Sequence, residues 1–270
     1  SAFFESVEAI ADAKAELLEG ATPDGIVVAN AGDPRIMARV GTCPARLVTF
    51  GVGVPADVSA SRIDDLGVDG SAAEVVTPSG RAVFRVPLLG RGHLANVLAA
   101  TAVALEFGVS LDAVAERVRT LAPAPRRGEV VRLAGGFTLV DDSYNSNPRA
   151  LERMLDVLGR SPNGARRVAV LGEMLELGDA AVPLHEACGR AAAAAGVGLL
   201  ITVGGHAAAR LGAAAVSAGV PADAVVHVGT SDEAATLLQS LVRAGDVILV
   251  KGSRGTRTDI VADALKGART

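Results

Sequence analysis

The second half of the chain repeats one pattern that strongly limits its possible folds. Short apolar segments alternate with longer Ala-rich segments, and the apolar ones lie near residues 137–141, 167–171, 199–203, 225–228 and 246–250. Each apolar segment has the length of a buried strand, and each Ala-rich segment has the length of a helix. This alternation predicts right-handed βαβ units and a mainly parallel sheet, so the fold class is α/β. Only 3% of the residues are aromatic and tryptophan is absent, so Ala, Val and Leu must fill the core, as is typical of helix-covered parallel sheets.

The first half predicts a smaller α/β unit with an antiparallel patch. Its expected elements are a helix over 5–19 with Ser6 as N-cap, strands at 26–29 and 47–50, short strands between 61 and 89, and helices over 94–107 and 111–121. Turn signals at Asp69-Gly70 and Ser79-Gly80 divide the segment 61–89 into short pieces. We therefore expect a small antiparallel patch there.

The segment Pro123-Ala-Pro-Arg-Arg-Gly128 separates the two halves. Two prolines followed by a basic pair cannot continue the preceding helix, and they mark a domain boundary. A chain of 270 residues has room for two domains of ordinary size. We expect these domains to cover residues 1–124 and 125–270.

Charge and cysteine content exclude several classes of protein. The net charge of −4 and the isoelectric point of about 5.6 argue against a nucleic acid as partner. Cys43 and Cys188 are far apart and suggest neither a disulfide framework nor a zinc site, which fits a reducing cytoplasm. No secretory signal is visible at the start, and the most apolar stretch, 191–203, is too short to span a bilayer. We expect a cytoplasmic protein that does not bind a membrane.

Residues 139–148 read Leu-Val-Asp-Asp-Ser-Tyr-Asn-Ser-Asn-Pro, an apolar strand that runs into short polar side chains. Open α/β sheets bind ligands at the carboxyl ends of their strands. Asp141 and Asp142 offer acceptors for ribose hydroxyls or a metal ion, and Tyr144, Asn145 and Asn147 add hydrogen-bonding groups. A capped strand-to-helix turn uses the same residue types, so both interpretations stay open.

A second polar cluster follows the last predicted strand. The segment Lys251-Gly-Ser-Arg-Gly255 combines the cations Lys251 and Arg254 with the Ser253 hydroxyl and two glycines. Such a composition suits an anion site, because glycines let backbone amides approach the ligand and the cations supply charge. A solvated loop with incidental basic residues is the alternative.

Two further segments carry weaker signals. Glu173, Glu176 and His185 could bind a metal ion or orient a basic substrate group, but such residues are often caps and surface charges. His93 and Asn96 precede or open a predicted apolar helix, where they could meet a base or a phosphate. They could equally cap that helix.

In this order, the segments resemble the C-terminal two thirds of a Mur ligase. The resemblance covers nearly the whole chain and rests on Ala-Lys-Ala-Glu-Leu at 13–17, Asn30 with Asp33-Pro34, His93 with Asn96, Arg127-Gly-Glu129, the cluster at 141–148, Leu-Gly-Glu-Met-Leu-Glu-Leu-Gly at 171–178 with His185, and Lys251-Gly-Ser-Arg. It implies a partial central ATPase-type domain with an antiparallel patch, followed by a Rossmann-like, mainly parallel C-terminal domain.

The resemblance implies an amide ligase that joins D-alanyl-D-alanine to UDP-N-acetylmuramoyl-tripeptide through an acyl phosphate, with ATP and Mg²⁺ as cofactors. Lys14 lies where related ligases carry a carbamylated lysine, a carboxylate-like Mg²⁺ ligand. On position alone, a lysine at the edge of an apolar helix face usually extends to water. The implied roles are catalysis for Lys14, Arg127 and Lys251, nucleotide binding for His93, Asn96, Asp142, Tyr144 and Asn145, and substrate binding for Asn147, His185, Ser253 and Arg254.

The family's UDP-sugar domain and phosphate loop precede the segment around Lys14. The chain has no Gly-x-x-x-x-Gly-Lys-[Ser/Thr] and no Gly-x-Gly-x-x-Gly motif. The resemblance therefore implies a ligase fragment that is inactive alone, monomeric in full-length form, and able to dimerise through exposed apolar surface. Alternatives are a non-catalytic nucleotide-binding module, one that a partner chain completes, or a ligase similar to folylpolyglutamate synthase.

Overall fold

A computed structural model describes residues 6–161 and 164–267. The chain divides into two compact units, Ser1–Leu121 and Ala122–Thr270. The boundary predicted between residues 124 and 125 falls a few positions after this division. Residue 5, the expected start of the first helix, lies outside the described residues.

The first unit is built on a five-stranded sheet. In chain order its elements are α1 (Val7–Ala15), β1 (Ile26–Asn30), α2 (Pro34–Val40), β2 (Arg46–Val52), β3 (Val58–Asp65), β4 (Ser71–Thr77), β5 (Gly80–Val86), α3 (Gly90–Glu106) and α4 (Leu111–Val118). The strands lie in sequence order, with β1, β2 and β3 parallel and β4 and β5 added antiparallel. The predicted antiparallel patch is therefore confirmed as β3 to β5.

Helices α3 and α4 cover this sheet with a strip of apolar side chains. Leu94 and Leu98 of α3 lie in one buried cluster with Val75 and Phe84 of the antiparallel strands. The predicted turn at Asp69-Gly70 requires its glycine. Gly70 has a φ of +89°, and a Cβ there would lie 2.1 Å from the carbonyl oxygen of Val86.

The first helix differs from its prediction. Helix α1 begins after the Ser6 N-cap, as expected, but ends at Ala15 and continues as a 3-10 helix over Glu16–Gly20. None of its residues is buried, so packing, which supplies most helical stability in proteins, does not extend it. Helix α2 was not predicted, although its Asp33 N-cap and Pro34 are a standard helix start.

The second unit is built on a six-stranded sheet. In chain order its elements are β6 (Glu129–Leu133), β7 (Phe137–Asp142), α5 (Pro148–Gly159), β8 (Arg167–Gly172), α6 (Ala181–Ala194), β9 (Val197–Val203), α7 (His206–Ser217), β10 (Val225–Val228), α8 (Ser231–Leu241), β11 (Val247–Lys251) and α9 (Asp259–Gly267). The strand order is β10-β9-β8-β11-β7-β6, and every neighbouring pair is parallel except β6 with β7. The predicted mainly parallel α/β fold is confirmed.

Two helix layers cover this sheet. Helix α6 packs against α5 and α7, whereas α8 packs against α9. The chain moves along the sheet in one direction from β7 to β10 and then returns to place β11 between β8 and β7. Right-handed connections in opposite directions put the two helix groups on opposite faces. None of the helices within residues 6–161 and 164–267 is both long and apolar enough to cross a membrane.

Candidate functional site

Three strand ends of the second unit meet at one edge of its sheet. Lys251, at the carboxyl end of β11, pairs in register with Asp142 of β7 and Leu171 of β8. The chain leaves β7 and β8 towards the layer of α5, α6 and α7, but it leaves β11 towards α9 in the other layer. Adjacent strand ends whose loops diverge in this way open a crevice, which is where open α/β sheets bind ligands.

A buried ammonium joins the ends of β7 and β11. Lys251 is only 2% exposed, and its Nζ donates hydrogen bonds to Asp142 Oδ2 at 2.6 Å and to the carbonyl oxygen of Asn145 at 2.8 Å. Charge-assisted hydrogen bonds of this kind are about twice as strong as neutral ones. Lys251 therefore fixes the turn that follows β7. This geometry favours a positioning role for Lys251 over the catalytic role expected from the sequence.

The neighbouring carboxylate, Asp141, points into the protein. It is fully buried and accepts hydrogen bonds from the Ser143 hydroxyl at 2.6 Å and from Lys266 Nζ at 2.8 Å. Lys266 also donates to Glu129, and although burial opposes the charge, these hydrogen bonds raise the pKa of Lys266. Asp141 thus stabilises the unit internally, and Asp142 is the partly exposed carboxylate of the pair.

The rest of the β7 turn combines a helix cap with exposed groups. Asn147 accepts a hydrogen bond from the Ala150 N–H and is the N-cap of α5, which confirms the capped-turn interpretation at this position. Asn145 and Tyr144 are exposed, and Tyr144 retains 45% of its accessible surface. A turn of this kind can therefore be both a cap and a ligand site.

Two exposed arginines lie at the same edge of the unit. The Arg127 guanidinium stacks over the Tyr144 ring, 4.0 Å from its centroid. Arg254 lies three residues after the end of β11 and is exposed. Neither arginine forms an ion pair within the part of the chain that the structure describes. Both charges are therefore available to an anionic ligand.

The loop after β11 is held in place by Ser253 and by glycine contacts. Ser253 is buried, and its Oγ accepts a hydrogen bond from the Leu175 N–H at 3.1 Å. Gly172 and Gly252 lie so close that a Cβ on Gly172 would sit 3.1 Å from the Gly252 Cα and 2.6 Å from Thr256 Oγ1. Ser253 therefore joins the loops after β8 and β11, and its neighbour Arg254 faces solvent.

The acidic loop after β8 is also occupied internally. Glu173 Oε2 accepts a hydrogen bond from the Gly205 N–H at the start of α7. His185 is fully buried, accepts from the Met174 N–H at Nε2, and donates from Nδ1 to the Ala181 carbonyl oxygen, because a carbonyl can only accept. His185 supports the loop from inside, which argues against the expected substrate contact. Within the described ranges, no group of three or more His, Cys, Asp or Glu residues could hold a metal ion.

The remaining candidates belong to the first unit. Lys14 is exposed in the last turn of α1. His93 and Asn96 do not cap α3, because the helix begins four residues earlier than predicted, at Gly90, with Leu89 as N-cap. They lie three positions apart on one helix face, where Asn96 is exposed and His93 is partly buried. Their expected nucleotide contacts, and the Mg²⁺ role of Lys14, stay predictions.

Sequence reasoning named these residues but did not pair them. The contacts of Lys251 with Asp142 and of Arg127 with Tyr144 depend on β11 lying next to β7 and on the path of the 124–128 segment. Hydrophobic periodicity locates strands but does not order them within a sheet. No local signal could have found these pairs.

The strand order defines a doubly wound α/β domain of the Rossmann-like class, and the ends of β7, β11 and β8 lie where domains of this class bind ligands. The sequence matches the family models for the Mur ligase middle domain over residues 2–104 and for the Mur ligase glutamate ligase domain over residues 126–254. The chain belongs to the Mur ligase family.

Individual relatives agree with these family matches. A UDP-N-acetylmuramoyl-tripeptide–D-alanyl-D-alanine ligase of Mycobacterium bovis is 36% identical over 97% of this chain and 55% of its own length. The Escherichia coli enzyme of the same name is 32% identical over 97% of this chain and 57% of its own length. A crystal structure of MurF from Acinetobacter baumannii has a TM-score of 0.84 at 26% identity and covers 96% of this chain and 56% of that protein. The chain thus spans a little over half the length of these relatives.

Proposed function

We propose that this chain forms the middle and C-terminal parts of an ATP-dependent amide ligase of peptidoglycan precursor synthesis. Its substrates would be UDP-N-acetylmuramoyl-tripeptide and D-alanyl-D-alanine, and it would act in the cytoplasm. The observation that supports this most directly is the edge of β7 and β11, where the turn after β7 carries the Asp142 carboxylate and the Tyr144 ring stacked under Arg127, and the loop after β11 carries the exposed Arg254.

The residues of this edge suit two different ligands. Asp142 is an acceptor for ribose hydroxyls, and its position is fixed by Lys251. Arg127 presents a guanidinium for phosphate oxygens, and Arg254 presents one for a carboxylate such as that of the incoming dipeptide. The exposed side-chain amides of Asn145 and Asn147 can hydrogen-bond peptide groups.

The fit to the cofactors differs between ATP and Mg²⁺. When bound, ATP would supply the phosphoryl group that activates the tripeptide carboxylate. Asp142, Arg127 and Tyr144 provide an acceptor, a cation and an aromatic face for a nucleotide. For Mg²⁺ the described residues offer no ligand cluster, and Lys14 lies exposed without a carboxylate partner among them. We therefore assign this chain no step that depends on the metal.

Calorimetric titration with ADP tests the nucleotide part of this proposal. We expect the wild-type chain to bind ADP and Asp142→Asn to bind it about tenfold more weakly, because a charge-assisted hydrogen bond contributes about 1.5 kcal/mol. Asn retains an acceptor for Lys251, so the turn should keep its shape. Asp223→Asn is the matched control, since Asp223 is an exposed carboxylate elsewhere in the same unit. Absence of ADP binding, or equal affinity of the wild type and Asp142→Asn, would refute the assignment.

The acceptor substrate distinguishes this ligase from its alternatives. We expect D-alanyl-D-alanine, but not L-glutamate, to shift the amide NMR signals of Asn145, Asn147 and Arg254. A response to glutamate alone would favour a ligase similar to folylpolyglutamate synthase. A response to neither amine, with ADP bound, would favour a nucleotide-binding module.

A further inference from the structure

The segment that carries Arg127 is fixed rigidly to the second unit. Arg126 Nη1 and Nη2 form ion pairs of 2.8 Å each with Asp259 and Asp263 on α9. The Gly128 N–H donates to the Asp141 carbonyl oxygen, and the Tyr144 N–H donates to the Arg126 carbonyl oxygen. The sequence alone predicts a linker here, but these contacts make residues 126–128 part of the folded unit.

The two arginines of this segment point to different partners. Arg126 adopts a left-handed conformation with a φ of +60° and binds the two α9 carboxylates. Arg127 places its guanidinium over the Tyr144 ring at 4.0 Å, with no carboxylate partner within the described part of the chain. One arginine is therefore neutralised and anchors the segment, while the other keeps its charge at the exposed edge.

An aromatic partner and a carboxylate partner leave different groups of an arginine available to a ligand. A carboxylate takes up N–H donors in the guanidinium plane and neutralises the charge. An aromatic ring contacts only the guanidinium face, so the in-plane donors and the charge stay available to a phosphate. The ring also limits the rotamers of a long side chain that would otherwise lose entropy on binding.

We propose that Tyr144 is a positioning residue that holds the Arg127 guanidinium ready for a phosphate group at the β7 edge. The identity of this phosphate, as one of a bound nucleotide, rests on the proposed function. Tyr144 acts through its ring and not through its hydroxyl. It follows Asp142 by two positions in the turn that Lys251 fixes, so the ribose acceptor and the phosphate donor are set by one rigid turn.

The first test observes the stack directly in the ligand-free chain. Tyr144 is the only tyrosine of the sequence, which also lacks tryptophan, so tyrosine ring signals come from this residue alone. We expect Arg127→Gln to shift the Tyr144 ring-proton resonances. The matched control Arg190→Gln, at an exposed arginine of α6, should not shift them. Identical Tyr144 spectra for wild type and Arg127→Gln would overturn the proposal.

The second test measures anion affinity with inorganic tripolyphosphate and with ADP. We expect Tyr144→Leu to weaken tripolyphosphate binding about two- to fivefold, which is the range of an exposed cation–π contact. Tyr144→Phe should restore most of that loss, because it keeps the ring. Equal affinities of Tyr144→Leu and wild type, failure of Tyr144→Phe to restore binding, or absence of tripolyphosphate binding by wild type would each overturn the proposal. Tyr144-dependent binding of tripolyphosphate without binding of ADP would refute the proposed function and leave this inference standing.

Discussion

Replacing Lys251 by methionine removes the ammonium that joins β7 to β11 and keeps an apolar side chain of similar length. The lysine side chain is 3% exposed, and that of its partner Asp142 is 16% exposed. In the variant, the Asp142 carboxylate and the Asn145 carbonyl oxygen each lose the hydrogen bond that the buried Lys251 ammonium donates in the wild type. The second unit should therefore lose stability although its core packing is nearly unchanged.

The size of this loss follows from the two contacts. Removing one partner of a buried ion pair costs about 3–5 kcal/mol, because the other charge loses an interaction that offset the cost of its burial. Asp142 keeps some access to water, so we expect the lower end, about 3 kcal/mol. With a urea dependence of about 2–3 kcal/mol per molar, the unfolding midpoint should fall by about 1–1.5 M. The double variant with Asp142→Asn should regain about 1–2 kcal/mol, because its remaining partner is uncharged.

Urea unfolding followed by Tyr144 fluorescence measures this effect in the second unit alone, since the chain has one tyrosine and no tryptophan. Arg190→Met is the matched control, because Arg190 is an exposed cation of α6 in the same unit and its loss should change the stability by less than about 0.5 kcal/mol. A loss below about 1 kcal/mol for Lys251→Met would refute the reasoning. So would a double variant that is no more stable than the single one.

Two further predictions concern Asp57 and the cysteines. The Thr49 hydroxyl and N–H donate to Asp57 at 2.7 and 2.8 Å and hold the pKa of its carboxyl below the ordinary value of 3.8. A carboxyl whose pKa is lower in the folded state stabilises the protein at pH values above its unfolded-state pKa, and this stabilisation is lost as the pH falls through the folded-state pKa. Asp57→Asn should therefore lower the urea midpoint at about pH 7 but hardly at about pH 2. A gap of equal size at both pH values, measured by circular dichroism, would contradict this. Burial raises the pKa of the Cys188 thiol to about 12, so a thiol reagent at about pH 8 should modify the partly buried Cys43 in the native chain and Cys188 only after unfolding. Rapid modification of both thiols in native protein, as counted by mass spectrometry, would disprove it.

Much of the second unit could be predicted from periodicity alone. The five predicted strands correspond to β7, β8, β9, β10 and β11, because buried parallel strands are continuous apolar runs bounded by polar turns. Strand β6 was missed, although Gly135-Gly136 between two partly apolar runs is a hairpin signal. Helix α3 begins four residues earlier than predicted, at Gly90, although two of the four added residues are glycines, which have a low helix propensity.

The candidate site was predictable in its residue types but not in their roles. Asp141 and Asp142 are adjacent and chemically identical, yet one is fully buried against Lys266 and the other is partly exposed beside Lys251. Alternate side chains of a strand point to opposite faces, but the sequence does not say which face or edge receives a cation. His185 was expected at a substrate, and burial with two satisfied ring nitrogens gives it a supporting position instead.

The sequence by itself determined the α/β class, the positions of five of the six strands of the second unit, the family, and the set of polar residues at the strand ends. These follow from periodicity and local motifs, which are properties of neighbouring residues. Only the tertiary structure decided that β11 lies between β7 and β8, so that Lys251 meets Asp142 and the Arg127 charge is held on an aromatic ring. The physical reason is that hydrogen-bond partners and burial depend on which strands become neighbours, and residues 142 and 251 come together only when the sheet forms.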